Sequence, residues 1–126
     1  VKQNGISSYM QRVLDAYAKY FNTKYQKSGH LFAAPFQAVY VETNEQLLHL
    51  SAYIHANPVQ IKAWKKDALQ YPCSSYQDYI HKNRWGHLLA SNHILKQFSH
   101  PNEYDDFIKT SGIKDAEDVK HLVFNI

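Results

Sequence analysis

The sequence predicts an α+β fold: helices packed on an antiparallel β-hairpin, helix-dominated, with a helical carboxy-terminal extension. Three observations predict it. Apolar residues recur at spacings of three and four over 6–26 and again over 43–57. Between those stretches, over 30–42, the pattern changes to short apolar and aromatic runs around a proline. Beyond residue 83, three further short helical patterns follow.

In the first helix Ile6, Met10, Val13, Leu14, Tyr17 and Phe21 mark the apolar face. Ser7 or Ser8 is placed to cap its start, and Lys24, Lys27 and Ser28-Gly29 to end it. His30-Leu31-Phe32 and residues 37–42 read as two strands joined through Ala33-Ala34-Pro35-Phe36. Pro35 has no N–H to give a ladder, so it belongs at the bend or on an edge. Thr43 followed by Gln46 is a capping box opening the second helix. Leu47, Leu50, Ser51 and Ile54 share its expected core face, while Tyr53 and Asn57 lie together on a flank about 90° away, with His49 nearby. Pro58 stops the helix.

Residues 59–72 read as a basic connector containing Lys62, Trp64, Lys65 and Lys66. Ser74-Ser75 begin a short helix that runs to residue 82, and Lys82-Asn83-Arg84 mark a boundary. Helices over 86–98, 101–110 and 115–124 complete the chain, separated at His100-Pro101 and Ser111-Gly112.

A length of 126 residues is enough for one domain with its own core. No apolar run approaches the roughly eighteen residues of a membrane span, so no membrane partner is expected. A single cysteine, Cys73, excludes an internal disulfide and fits the cytoplasm; it reads as a small buried hydrophobe. The net charge is +3, mildly basic, and ten tyrosines, two tryptophans and eight histidines sit among fourteen lysines and arginines. Bases stack on aromatic rings and phosphates need cations, so this mixture suits single-stranded nucleic acid.

The order and spacing of several segments carry a resemblance. They are Asn4-Gly5, Tyr17-Ala18-Lys19-Tyr20-Phe21-Asn22, Gly29-His30-Leu31-Phe32, Tyr53-Ile54-His55-Ala56-Asn57-Pro58-Val59 and Tyr71-Pro72-Cys73-Ser74-Ser75-Tyr76. Together they resemble the REP-associated tyrosine transposases, within the wider single-tyrosine, histidine-pair (HUH) transposases. On this resemblance residues 1–82 are the carboxy-terminal part of the catalytic domain, and 83–126 a helical extension packed on it.

The resemblance implies that Tyr53 is a nucleophile. It would attack a phosphodiester of single-stranded DNA at hairpin-forming repeats, form a 5′-phosphotyrosine and release a 3′-hydroxyl. It also implies Mg²⁺ or Mn²⁺, held by a His-hydrophobe-His pair and by the polar residue one turn after the tyrosine, here Asn57. A homodimer is a further implied partner, because in some members the tyrosine helix and the histidine pair come from different subunits.

The sequence departs from the family pattern at three places. It contains no His-x-His, so the chain alone is expected to be inactive. Ala33-Ala34-Pro35-Phe36 stand where a Gln-Gly-Arg-Phe-like run is usual, and Cys73 where a tryptophan is usual. A degraded or domesticated protein that binds single-stranded or hairpin DNA without cutting it is the alternative expectation.

The chemistry explains why such residues are needed. A phenol is mostly protonated at neutral pH, with an ordinary pKa of about 10. A metal on the scissile phosphate withdraws charge and aligns attack. A hydroxyl and an amide oxygen four residues apart on a helix keep a fixed spacing, and asparagine is a hard donor suited to Mg²⁺ or Mn²⁺. His55 points about 160° away from Tyr53 around the helix, which fits a structural role or a DNA contact. Lys62, Lys65 and Lys66 with Trp64, together with Lys24 and Lys27, are the expected DNA contacts.

Overall fold

The computed structural model describes residues 4–111. The described residues divide into two compact units that part between Ala38 and Val39.

The first unit is built on α1, Gly5–Tyr25. It begins at Asn4, whose φ of 65° is left-handed, and neither serine caps it through a side chain. Gln26 and Lys27 both donate their N–H groups to the Asn22 carbonyl, ending the helix with Gln26 at φ 50°. Asn22 Nδ2 then donates to the Gly29 carbonyl at 3.1 Å, holding a turn whose φ of 97° at Gly29 favours glycine. Tyr17, Phe21 and Tyr25 follow one another at helical spacing, and Phe32 returns to lie 6.3 Å from Tyr17, centroid to centroid.

Here the α+β expectation is corrected. Among the described residues there is no strand, and 30–42 is irregular backbone. The runs 30–32 and 37–42 have the right residue types, but a strand is stable only with a ladder partner and a face to bury. Neither run has one: Val39 is 51 % and Tyr40 82 % exposed. The fold is helical.

The second unit opens with α2, Asn44–Ala56, and its capping box is formed. Thr43 Oγ1 accepts from the Gln46 N–H at 3.1 Å, and Gln46 Oε1 accepts from the N–H groups of Thr43 and Glu42. Of the expected stripe, Leu47 packs against the core and Ser51 reaches buried Tyr104, but the carboxy-terminal end of the helix faces inward through other residues. Ala52, His55 and Ala56 are buried, whereas Ile54 is 53 % exposed. Small alanines let a neighbouring helix approach closely, and α5, Pro101–Ser111, fills that space with Tyr104 and Ile108.

Between them the chain makes short 3₁₀ turns at Asn57–Gln60, Lys62–Trp64 and Ala68–Gln70, then α3, Tyr76–Ile80. Tyr76 and Ile94 complete the buried cluster. The expected helix over 86–98 is interrupted: a 3₁₀ turn at Gly86–Leu88 and α4, Asn92–Leu95, take its place. The break falls after Leu88, where Leu89 is extended at φ −112° and ψ 106°. The expected helix over 115–124 lies outside the described residues.

Buried Asp78 anchors the segment after α3. Its carboxylate accepts from Arg84 N–H at 2.9 Å, Arg84 Nε at 2.7 Å, Arg84 Nη2 at 2.8 Å and Trp85 Nε1 at 3.2 Å. These donors favour the anion, and the Arg84 guanidinium above all lowers its pKa to about 2. Among the described residues no helix is long and apolar enough to cross a membrane.

Candidate functional site

The carboxy-terminal end of α2 carries the residues singled out by sequence. Tyr53 and Asn57 are both half-buried, and the Asn57 backbone N–H caps the helix by donating to the Tyr53 carbonyl. Pro58 opens the next turn, so the polar side chain at 57 is held at a rigid junction.

His55, between them, is 4 % exposed and faces the core. Its Nδ1 lies 2.8 Å from the Tyr104 hydroxyl and its Nε2 2.9 Å from Ser75 Oγ. The tautomer follows from the rest of the network. Ser51 Oγ donates to the Leu48 carbonyl at 2.8 Å, and Tyr104 donates to Ser51 Oγ at 3.0 Å. The Tyr104 oxygen is therefore left to accept from His55, which places the proton on Nδ1. Nε2 is then the acceptor, and Ser75 donates to it. The imidazole is also sandwiched: stacked on Tyr76 at 5.4 Å and met edge-on by Tyr79 at 4.7 Å. Burial lowers its pKa to about 4, so it is neutral near pH 7.

A cleft of about 350 Å³ opens beside this junction, lined by Ile54, Asn57, Pro58, Ile61, Tyr71 and the stretch Cys73 to Ser75. Cys73 is exposed, not the small buried hydrophobe expected of it. It follows Pro72 in an outward turn, away from the buried cluster. Tyr71 is fixed edge-on against Trp64, with centroids 5.7 Å apart.

A second cleft, of about 290 Å³, is lined on one side by Lys65, Lys66 and Asp67 and on another by Tyr76, Ile108 and Lys109. The Tyr76 hydroxyl donates to Asp105, which also pairs with Lys109 at 2.5 Å. Burial and Asp105 together push the Tyr76 phenol well above its ordinary pKa.

The expected DNA contacts fall in both units. Lys62, Lys65 and Lys66 are exposed and Trp64 is half-buried, all within the second unit. Lys24 and Lys27 belong to the first; Lys24 Nζ donates to the Tyr20 hydroxyl at 3.0 Å and lies 5.5 Å from the Tyr25 ring centroid. His49 rests its ring 5.4 Å from Phe107. Sequence marks Ser74-Ser75 only as the start of a short helix and Tyr71 only as part of the Tyr71-Pro72-Cys73-Ser74-Ser75 signature; in the structure Ser74 Oγ accepts from the Tyr76 N–H and Ser75 does not cap through its side chain. Lys109 carried no signal at all in the sequence, because only the α5 packing brings it to Lys65 and Lys66.

The metal expectation can be tested on the donors present. Among the described residues no three His, Cys, Asp or Glu side chains converge on a common point. Asn57 offers one amide oxygen, and one neutral donor does not make a Mg²⁺ site. The described residues alone therefore do not fit the ion.

Compared with known proteins, the chain matches no family model, no curated protein and no solved structure.

Proposed function

We propose that this chain handles single-stranded DNA as part of a single-tyrosine transposase, with Tyr53 as the nucleophile at hairpin-forming repeats. One observation carries the reading. A tyrosine and an asparagine stand one turn apart at a rigid helix end, and the lysine- and tryptophan-bearing turns follow directly in the same unit. Exposed cations there suit phosphates, and aromatic rings suit unpaired bases.

In this reaction the Tyr53 oxygen attacks phosphorus, and the bond to the 3′ oxygen breaks. The phenol proton is given up and the 3′ oxygen leaves as a hydroxyl. That hydroxyl can attack the phosphotyrosine and reverse the step, rejoining strands without an external energy source. Mg²⁺ or Mn²⁺ belongs to the proposal only with ligands beyond the described residues, and because the sequence holds no His-x-His, residues 1–126 alone are expected to bind DNA and not to cut it. A homodimer and a cytoplasmic location are part of the same proposal.

The second reading, a protein that holds single-stranded or hairpin DNA without cleaving it, is favoured by the lack, among the described residues, of three converging His, Cys, Asp or Glu side chains. The two are separated by incubating the protein, in its full natural length, with labelled hairpin DNA and Mn²⁺. A denaturant-resistant adduct, absent from Tyr53→Phe, is expected. DNA binding with no adduct in either protein would leave the non-catalytic reading.

A further inference from the structure

The cleft at the end of α2 has a composition that backbone binding does not explain. Phosphates need cations, yet its walls are Ile54, Pro58 and Ile61 with the ring of Tyr71, and its polar groups are Asn57, Ser74 and Ser75. Its volume of about 350 Å³ falls in the roughly 300–1,000 Å³ range of small-ligand sites.

The polar groups have fixed roles. Ser74 Oγ accepts from the Tyr76 N–H at 3.1 Å, which leaves its own proton to donate. Ser75 spends its proton on His55 Nε2, which leaves its oxygen to accept. Asn57 carries a donor and an acceptor on one amide. A flat heterocycle with adjacent donors and acceptors along its edge answers this arrangement; an aliphatic side chain does not. Tyr71 lines the cleft with an aromatic ring, and its edge-on contact with Trp64 sets that ring before any ligand arrives.

We propose that this cleft is a nucleobase slot, in which one unstacked base of single-stranded DNA lies on Tyr71 with its hydrogen-bonding edge toward Asn57, Ser74 and Ser75. The slot rests on the single-stranded-DNA reading above and adds to it a contact with the base itself. None of Lys62, Lys65 and Lys66 lines the slot; they are exposed in the turns between Pro58 and Tyr71 and would meet the phosphates of the same strand outside it.

The test compares equilibrium binding of a single-stranded oligonucleotide with that of a strand of equal length whose sugars carry no bases, at fixed salt. The wild-type protein should bind the normal strand about tenfold or more tightly, the scale of one aromatic–base stack. Tyr71→Ala should abolish that preference while keeping the affinity for the abasic strand. Tyr71→Phe, which keeps the ring, should retain the preference, and the retained abasic-strand affinity of Tyr71→Ala is what separates loss of the stack from unfolding. Equal binding of both strands by the wild type would overturn the slot and leave DNA binding standing. No binding of either strand would overturn the DNA reading and the slot with it. Free deoxynucleoside monophosphates bound as tightly as the strand would assign the cleft to small nucleotides instead.

Discussion

His55 Nδ1 and the Tyr104 hydroxyl lie 2.8 Å apart in the core of the second unit, and the proton between them belongs to the histidine. From this pair a single directed chain of hydrogen bonds runs from Ser75 through His55, Tyr104 and Ser51 to the Leu48 carbonyl. Every donor in it has one acceptor, so a change at any member leaves a neighbour without its partner.

The pH dependence of stability follows from the neutral imidazole. The unfolded chain protonates His55 near pH 6.5 and the folded chain only near 4. Between those values the unfolded state binds the extra proton, so stability falls as pH drops from about 6.5 to about 4, by at most about 1.4 kcal/mol per pH unit. Urea midpoints measured across that window should show the slope in the wild type and a flatter one in His55→Gln. A flat wild-type profile would refute the buried, neutral state.

Tyr104→Phe keeps the ring and removes the acceptor of His55 and the donor to Ser51. The expected cost is about 1–3 kcal/mol, the scale of a buried polar group left unpaired. Ser51→Ala leaves the Tyr104 proton without an acceptor but keeps the His55 contact, so it should cost less. A double-mutant cycle would show coupling between the two, and additive losses would mean that the chain does not act as a unit.

Asp78 is held by the guanidinium, the backbone of Arg84 and the Trp85 indole. Arg84→Met removes the charge and two of the four donors, leaving the buried carboxylate underpaired, and should destabilise the fold. Because the folded carboxyl titrates near pH 2, its contribution is complete above the unfolded value of about 3.9 and disappears as pH falls toward about 2. Acid unfolding of Arg84→Met should therefore begin at higher pH than that of the wild type, measured by circular dichroism.

Replacing Lys62, Lys65 and Lys66 together by alanine should weaken single-stranded DNA binding and reduce the salt slope by about 2, the sum of three contacts at roughly 0.7 each. Affinities at two or more salt concentrations decide this. An unchanged slope would make these lysines ordinary surface residues.

What was legible in the sequence was local. The Thr43–Gln46 capping box and the extents of α1 and α5 depend on nearby residues and periodicity, and they stand close to where the pattern put them. The hairpin over 30–42 did not form, because a strand depends on a partner elsewhere in the chain. The inward face of α2 was legible at Leu47 and Ser51 but not at its carboxy-terminal end, because the expected stripe was chosen by hydrophobicity, which ranks Ile54 above Ala52. The packing of Tyr104 favours a small residue, and the polar histidine joins it once its two nitrogens are paired. Tyr53 and Asn57 were recognisable as a pair, whereas the cleft beside Asn57 needs Tyr71 and Ser75 brought back by turns that carry no periodic signal.

The burial of Ala52 and Ala56 reaches beyond packing. Together with His55 they set the azimuth of α2, and successive residues on a helix are turned by about 100°. The direction in which the Tyr53 phenol faces is thus decided by its methyl-bearing neighbours. A larger side chain at 52, fully enclosed against Tyr104, would have to roll or lift the helix. The phenol and the Asn57 amide would be re-aimed with their own chemistry untouched. Two unremarkable alanines are the compass bearing of the site.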